Sequence, residues 1–173
     1  MKVFPPIRGA ASQAALWAAL ADGTISSLGS DHAPHTEEQN HAPIHHQLAG
    51  MPGVQTLVPV MLREMHRGRI TPESLAAVLS ESTARQFGLY PAKGSLDVGT
   101  DADLTIVDPE RSWVLDQEQL EHKQKLSAWH GETMTGAPVA TVVRGQVVMR
   151  DGELIGDPSG RLVRRPTGEL SLV

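Results

Sequence analysis

Asp31, His32 and His35 crowd into one short stretch, Gly29-Ser30-Asp31-His32-Ala33-Pro34-His35-Thr36. A carboxylate with neighbouring imidazoles is the set of groups that ligates a divalent metal or moves a proton near neutral pH. The preceding residues, Thr24-Ile25-Ser26-Ser27-Leu28, have the β-branched and apolar content of a short buried strand. That strand would place Asp31 on a rigid tip, and Pro34 would stop further pairing. Arg8 follows the stiff Pro5-Pro6 pair, where it is equally a bidentate clamp for a substrate carboxylate or a surface arginine. The loop from Asp31 to Gly53 shows no helix or strand period, as a binding loop or lid would. It also carries His41, His45 and His46, which read as solvated because no partner for them is identifiable. Gly50 and Gly53, around Pro52, suit a close backbone approach.

The surrounding elements are those needed to hold such a tip. Ser12 is placed to cap a helix running to Ala21, with Ala15, Leu16, Ala19 and Leu20 as its apolar stripe. Val54, Leu57, Val58, Met61, Leu62 and Met65 recur at helical spacing, with the methionines as core filler. Arg67-Gly68-Arg69 ends that helix, and Thr71-Pro72-Glu73 opens another, running to about Ser80. A short turn over Thr83 to Phe87 follows. A helix followed by a strand whose end carries the chemistry is one turn of an α/β barrel, although an open α/β sheet fits the same local pattern. After Leu89 the pattern changes to alternating segments at 103–108, 139–143 and 146–149, separated by Arg144-Gly145 and Asp151-Gly152 turns. A domain boundary is therefore expected near Tyr90 to Gly94. Residues 1–90 would be barrel-like, and residues 91–173 a small β-rich domain with a short polar helix near 117–125 and a mobile tail from Arg161.

Composition narrows the function classes. The net charge of −5 and pI near 5.9 give no electrostatic case for nucleic acid or an anionic membrane. No cysteine is present, so any metal must be held by His, Asp or Glu. The absence of an apolar signal core or of a run approaching ~20 apolar residues makes the cytoplasm the expected location.

Ser-Asp-His-Ala-Pro-His-Thr resembles the segment after the last barrel strand of dihydroorotases, in the cyclic amidohydrolase group with allantoinase and dihydropyrimidinase. The resemblance extends through Pro5-Pro6-Ile7-Arg8, Gly50-Met51-Pro52-Gly53-Val54-Gln55, Lys93-Gly94-Ser95-Leu96, Gly99 to Leu104 and Val139 to Gly145. It implies the C-terminal part of a TIM-type (β/α)8 barrel followed by a small β-sandwich domain. It further implies that Asp31 is a ligand in a two-zinc site and the proton shuttle of ring opening. His35 would contact a substrate carboxylate, and the backbone at Pro52 and Gly53 would approach the ring. Phe4 stands where the family often has Asn or Arg.

The other zinc ligands of that family, a His-x-His pair and a carboxylated lysine among them, cannot be placed in this chain. A closed barrel also needs roughly 200 residues, and only ~90 precede the β-rich region. The expectation is a C-terminal fragment, inactive alone, of a zinc-dependent enzyme that acts on a small cyclic amide. That enzyme would be homo-oligomeric when complete, with no nucleic-acid or membrane partner. Dihydroorotate is the first substrate, because His35 can pair with its carboxylate, with allantoin or a hydantoin as the alternative. A non-catalytic relative that packs on a partner enzyme is the reading from another class.

Overall fold

In the N-terminal half, Leu57, Val58, Met61, Leu62 and Met65 recur on one side of a helix and pack on the core. The computed structural model describes residues 2–165. Helix α1 spans Ala10–Ala21, α2 Glu37–His41, α3 Leu57–His66, α4 Pro72–Ala76 and α5 Ser82–Gln86. Residues Ala77–Glu81 form a wider π-helical turn that joins α4 to α5. The sheet follows, with β1 Leu104–Val114, β2 Thr133–Val143, β3 Gln146–Arg150 and β4 Glu153–Leu154. It is one antiparallel sheet in the order β1-β2-β3-β4.

Several local expectations are corrected. Helix α1 begins at Ala10 after Gly9, two residues before the expected Ser12 cap, and no side chain caps it. Its buried side is Leu20 with Trp17 packed on the core, whereas Leu16 is 56% exposed. The stripe is shifted because Trp17 offers more apolar area to the core than Ala15. No strand forms over Thr24–Leu28. A strand needs a hydrogen-bonded neighbour along its edge, and among the described residues the segment has only single bonds, such as Leu28 N–H to Val78 O at 3.4 Å. The loop after Asp31 contains α2, which sequence periodicity did not reveal. Thr36 caps it, and the Gln39 side chain returns the bond to the Thr36 N–H. The polar segment expected as a short helix near 117–125 is a single 3-10 turn, Gln117–Gln119. Strand β2 starts at Thr133, six residues before the alternating segment expected at 139–143.

The expected sandwich is represented by this single sheet; a second sheet facing it is not among the described residues. Pro109 sits in β1, an edge strand, at a break in register between Asp108 and Ser112. An edge tolerates the missing N–H, and the bulge absorbs the kink. Residues 161–165 are exposed and irregular, and the remainder of the tail expected to be mobile lies outside the described residues.

The core joins helices and sheet. Leu20, Met61, Leu62, Ile70, Leu75 and Val78 form one buried cluster, with Val107 of β1 packed against it. Helix α3 lies on β2, where Gly136 takes a positive φ of 90° and a Cβ would stand 2.8 Å from Leu62 Cβ. The C-terminus of α3 is closed by Gly68 N–H to Met65 O and Arg69 N–H to Glu64 O, which satisfies carbonyls the helix leaves open.

Glu64 is buried and surrounded by guanidinium groups: Arg63 Nε at 3.0 Å, Arg67 Nη1 at 2.9 Å and Arg69 Nε at 3.2 Å. Arg63 is itself buried and stacks over the Trp129 ring at 4.8 Å, so this charge cluster ties α3 to the loop before β2. A second tie links the start of β1 to the β2–β3 turn. Asp103 accepts a bond from the Lys93 ammonium and from Arg144 N–H at 2.8 Å, and Lys93 also pairs with Asp101 at 2.8 Å.

Burial acts to raise the Asp103 carboxyl, but Lys93 and the Arg144 N–H outweigh it and hold it below its ordinary value. The bonds to Asp101 and then Asp103 raise Lys93 above its own. The stability from Asp103 is thus present above pH 3.8 and lost as pH falls through its lower folded value, whereas that from Lys93 is lost only above 10.5. Urea midpoints measured from pH 6 to pH 2 should fall for the wild type more steeply than for Asp103→Asn. Glu64→Ala leaves buried Arg63 only the more distant Glu132, at 3.7 Å, as a carboxylate partner and should cost about 3 kcal/mol or more in chemical denaturation.

Candidate functional site

Ser30 to Ala33 lies beside the returning Gly50–Val54 segment. His32 and Met51 form an isolated parallel bridge, with Ala33 N–H donating to Met51 O at 3.1 Å. The approach is close because two glycines permit it. A Cβ on Gly53 would meet Ser30 O at 2.6 Å, and one on Gly50 would meet Ala33 O at 2.6 Å and His35 Nε2 at 3.0 Å. The two backbone contacts of 2.6 Å are far inside van der Waals contact, so larger residues are excluded at these positions.

Asp31 lies at the centre of this contact. Its backbone takes a positive φ of 44°, a conformation rare outside glycine and tolerated best by Asp and Asn. The residue is exposed, and its carboxylate has no protein partner among the described residues. Backbone strain at an exposed carboxylate is the pattern of residues whose position matters more than their comfort. His32 sends its ring the other way: Nδ1 accepts Gly53 N–H at 3.1 Å and Val54 N–H at 3.3 Å.

His35 is half-buried, with Nε2 3.1 Å from Ala49 O. A carbonyl oxygen only accepts, so Nε2 carries the proton in this bond and Nδ1 is the nitrogen left for another partner. Asn40 holds the loop below by donating to His35 O at 3.1 Å and Thr36 O at 3.1 Å. Pro52 and Gly53 are buried beside this pair of segments.

Of the residues expected to act together, Asp31, His35, Pro52 and Gly53 are gathered here. Arg8 is exposed just ahead of α1, its carbonyl accepting from Gln13 Nε2 at 3.4 Å, and among the described residues no hydrogen bond or ion pair joins it to the others. His41 faces Glu37 at 3.9 Å, and His45 packs on His46 at 4.4 Å between ring centres. Among the described residues no three His, Asp or Glu side chains converge to hold a metal ion. Asp31 alone is one donor where zinc takes three or four, so the residues present do not fit a zinc centre.

Sequence reasoning missed the segment that closes this region from the other side. Residues 117–126 face α2 across a polar cleft of about 690 Å³ lined by His35, Asn40, Lys123 and Lys125. His122 packs edge-on to His32 with ring centres 5.5 Å apart, and its Nδ1 is buried with no hydrogen-bond partner among the described residues. The lone imidazole in a polar stretch carried no signal, because only the fold brings it to His32.

Residues 8–148 match the amidohydrolase family. The chain is 40% identical to an L-hydantoinase of Paenarthrobacter aurescens over 99% of its own length and 38% of the relative's. It is 38% identical to a dihydroorotase of a Geobacter species, covering 87% of this chain and 35% of that one. A D-hydantoinase structure from a Thermus species superposes with a TM-score of 0.88 at 32% identity, covering 95% of this chain and 37% of the other. The chain thus spans a little over a third of the length of the proteins it matches.

The Gly53 contact makes a direct test. Gly53→Ala forces a methyl group into the Ser30 carbonyl and should cost about 1–3 kcal/mol in thermal or urea denaturation, whereas Gly160→Ala, with open space around it, should not.

Proposed function

The chain belongs to the amidohydrolase family, and from that premise we propose that the complete polypeptide hydrolyses a cyclic amide, with this chain as its C-terminal part. The observation that carries the reading is the exposed, strained Asp31 set against the Gly50–Gly53 segment. In ring opening, water adds to the ring carbonyl carbon and the carbon–nitrogen bond breaks. Asp31 takes the proton from the attacking oxygen and delivers it to the leaving nitrogen, a transfer that suits an unpartnered carboxylate. The buried backbone at Pro52 and Gly53 supplies a wall for the ring, and His35 offers Nδ1 to a polar substituent.

Among cyclic amides, a hydantoin is our first reading. The His35 proton is committed to Ala49 O, so a neutral His35 presents an acceptor and suits an N–H of the substrate. Similarity to an L-hydantoinase supports the same choice. Dihydroorotate is the second reading, favoured by similarity to a dihydroorotase, and it requires His35 protonated on both nitrogens to receive the carboxylate. Allantoin is tested beside them.

The remaining proposals concern the whole protein. A second sheet would cover the apolar cavity of about 1000 Å³ beside β1 to β4, completing a sandwich after a barrel-like part within residues 1–90. Zinc would be bound only if residues outside this chain complete the donor set. No helix among the described residues is long and apolar enough to cross a membrane. We place the enzyme in the cytoplasm as a homo-oligomer, with no nucleic-acid partner.

The decisive experiment assays hydantoin, dihydroorotate and allantoin with the native polypeptide, after its intact mass is measured. A mass well above 18.6 kDa with turnover of one ring is expected. Asp31→Asn should then lower kcat by about a thousandfold. No turnover of any of the three overturns the assignment, and a native mass of 18.6 kDa without activity selects a non-catalytic relative.

A further inference from the structure

We infer that His32 is a positioning residue: its unprotonated Nδ1 pins the Gly53 and Val54 amides and thereby sets the Gly50–Val54 segment against Asp31. The inference rests on the proposed role of Asp31 for its catalytic meaning, but its structural content stands separately.

The two donors lie 3.1 and 3.3 Å from Nδ1. They belong to the residues just ahead of α3, where Thr56 and Leu57 N–H already donate to Gly53 O. Gly53 and Val54 amides would otherwise be left open as the chain turns into the helix, and Gly53 is buried away from water. An imidazole nitrogen that accepts two N–H bonds cannot itself carry a proton. His32 is thus held as the tautomer protonated on Nε2.

This bond is the side-chain half of a clamp whose backbone half is the His32–Met51 bridge and the Ala33 N–H to Met51 O bond. On the other side of Asp31, Ser30 O abuts the Gly53 backbone. Asp31 therefore has contacts to one segment through both of its chain neighbours, and none through its own carboxylate. The positive φ of Asp31 persists because those neighbours are fixed. His122, edge-on to His32 at 5.5 Å, limits the ring from the side of the 117–126 segment.

Asn and Gln separate this role from general packing. The Asn side-chain oxygen reaches close to the position of Nδ1, whereas Gln places its oxygen nearer that of Nε2. Backbone hydrogen exchange over residues 50–56, measured by mass spectrometry on the native polypeptide, should be about tenfold faster in His32→Gln. It should return near the wild-type rate in His32→Asn. Where the wild type opens a cyclic amide, kcat should follow the same order, with KM less affected.

Unchanged exchange in H32Q, or equal exchange in H32Q and H32N, overturns the inference. Exchange is read without substrate, so failure of the cyclic-amide assignment shows as absent turnover while exchange still decides the role of His32.

Discussion

The site depends on how closely one backbone segment approaches another. Ser30 to Ala33 and Gly50 to Val54 come within the reach of single hydrogen bonds, with Gly50 and Gly53 leaving no room for a Cβ between them. Everything chemical in the region is referred to that contact. Asp31 projects from its middle, His32 bonds across it, and His35 sits over Gly50 with its ring tied to Ala49 O. Such a contact defines position sharply, because the atoms that meet at Gly50 and Gly53 are the backbone carbonyls of Ala33 and Ser30, which cannot swing aside as a side chain would.

The rest of the fold acts as support for the second of these segments. Gly53 and Val54 lead directly into α3, and α3 is anchored on both its apolar and its charged side. Its apolar side contributes Met61 and Leu62 to the main core, and it lies on β2 at Gly136. Its charged side buries Glu64 among the guanidinium groups of Arg63, Arg67 and Arg69. A buried carboxylate of this kind contributes less to net stability than to a single arrangement of the groups around it, which is our reading of its role here. Through Arg63 on Trp129 and His122 on His32, the loops before β2 are drawn to the same helix and the same site.

Much of this was legible before the structure. The amphipathic period of α3, the Thr71-Pro72 start of α4 and the turn-separated strands after Gly99 follow from propensity and spacing, which act over a few residues. The Thr36-x-x-Gln39 cap of α2 was also readable in principle, being a local pattern, and it was hidden only by the lack of an apolar period. The expected strand at Thr24–Leu28 shows the opposite case. Its composition suits a strand, but strand formation depends on a neighbour supplied from elsewhere.

The sequence by itself determined the chemical inventory: a carboxylate, Asp31, followed by His32 and His35, then Gly50 and Gly53, no thiol, and a negative net charge. Those are properties of residue types and short spacings. Tertiary structure alone decided that Asp31 takes a left-handed conformation with no side-chain partner among the described residues, and that His32 holds the Gly53 and Val54 amides. It also decided that His122 reaches His32 from far along the chain. Contacts between distant residues form only when the whole core closes around them, and no local preference of the chain encodes which imidazole nitrogen will find which amide.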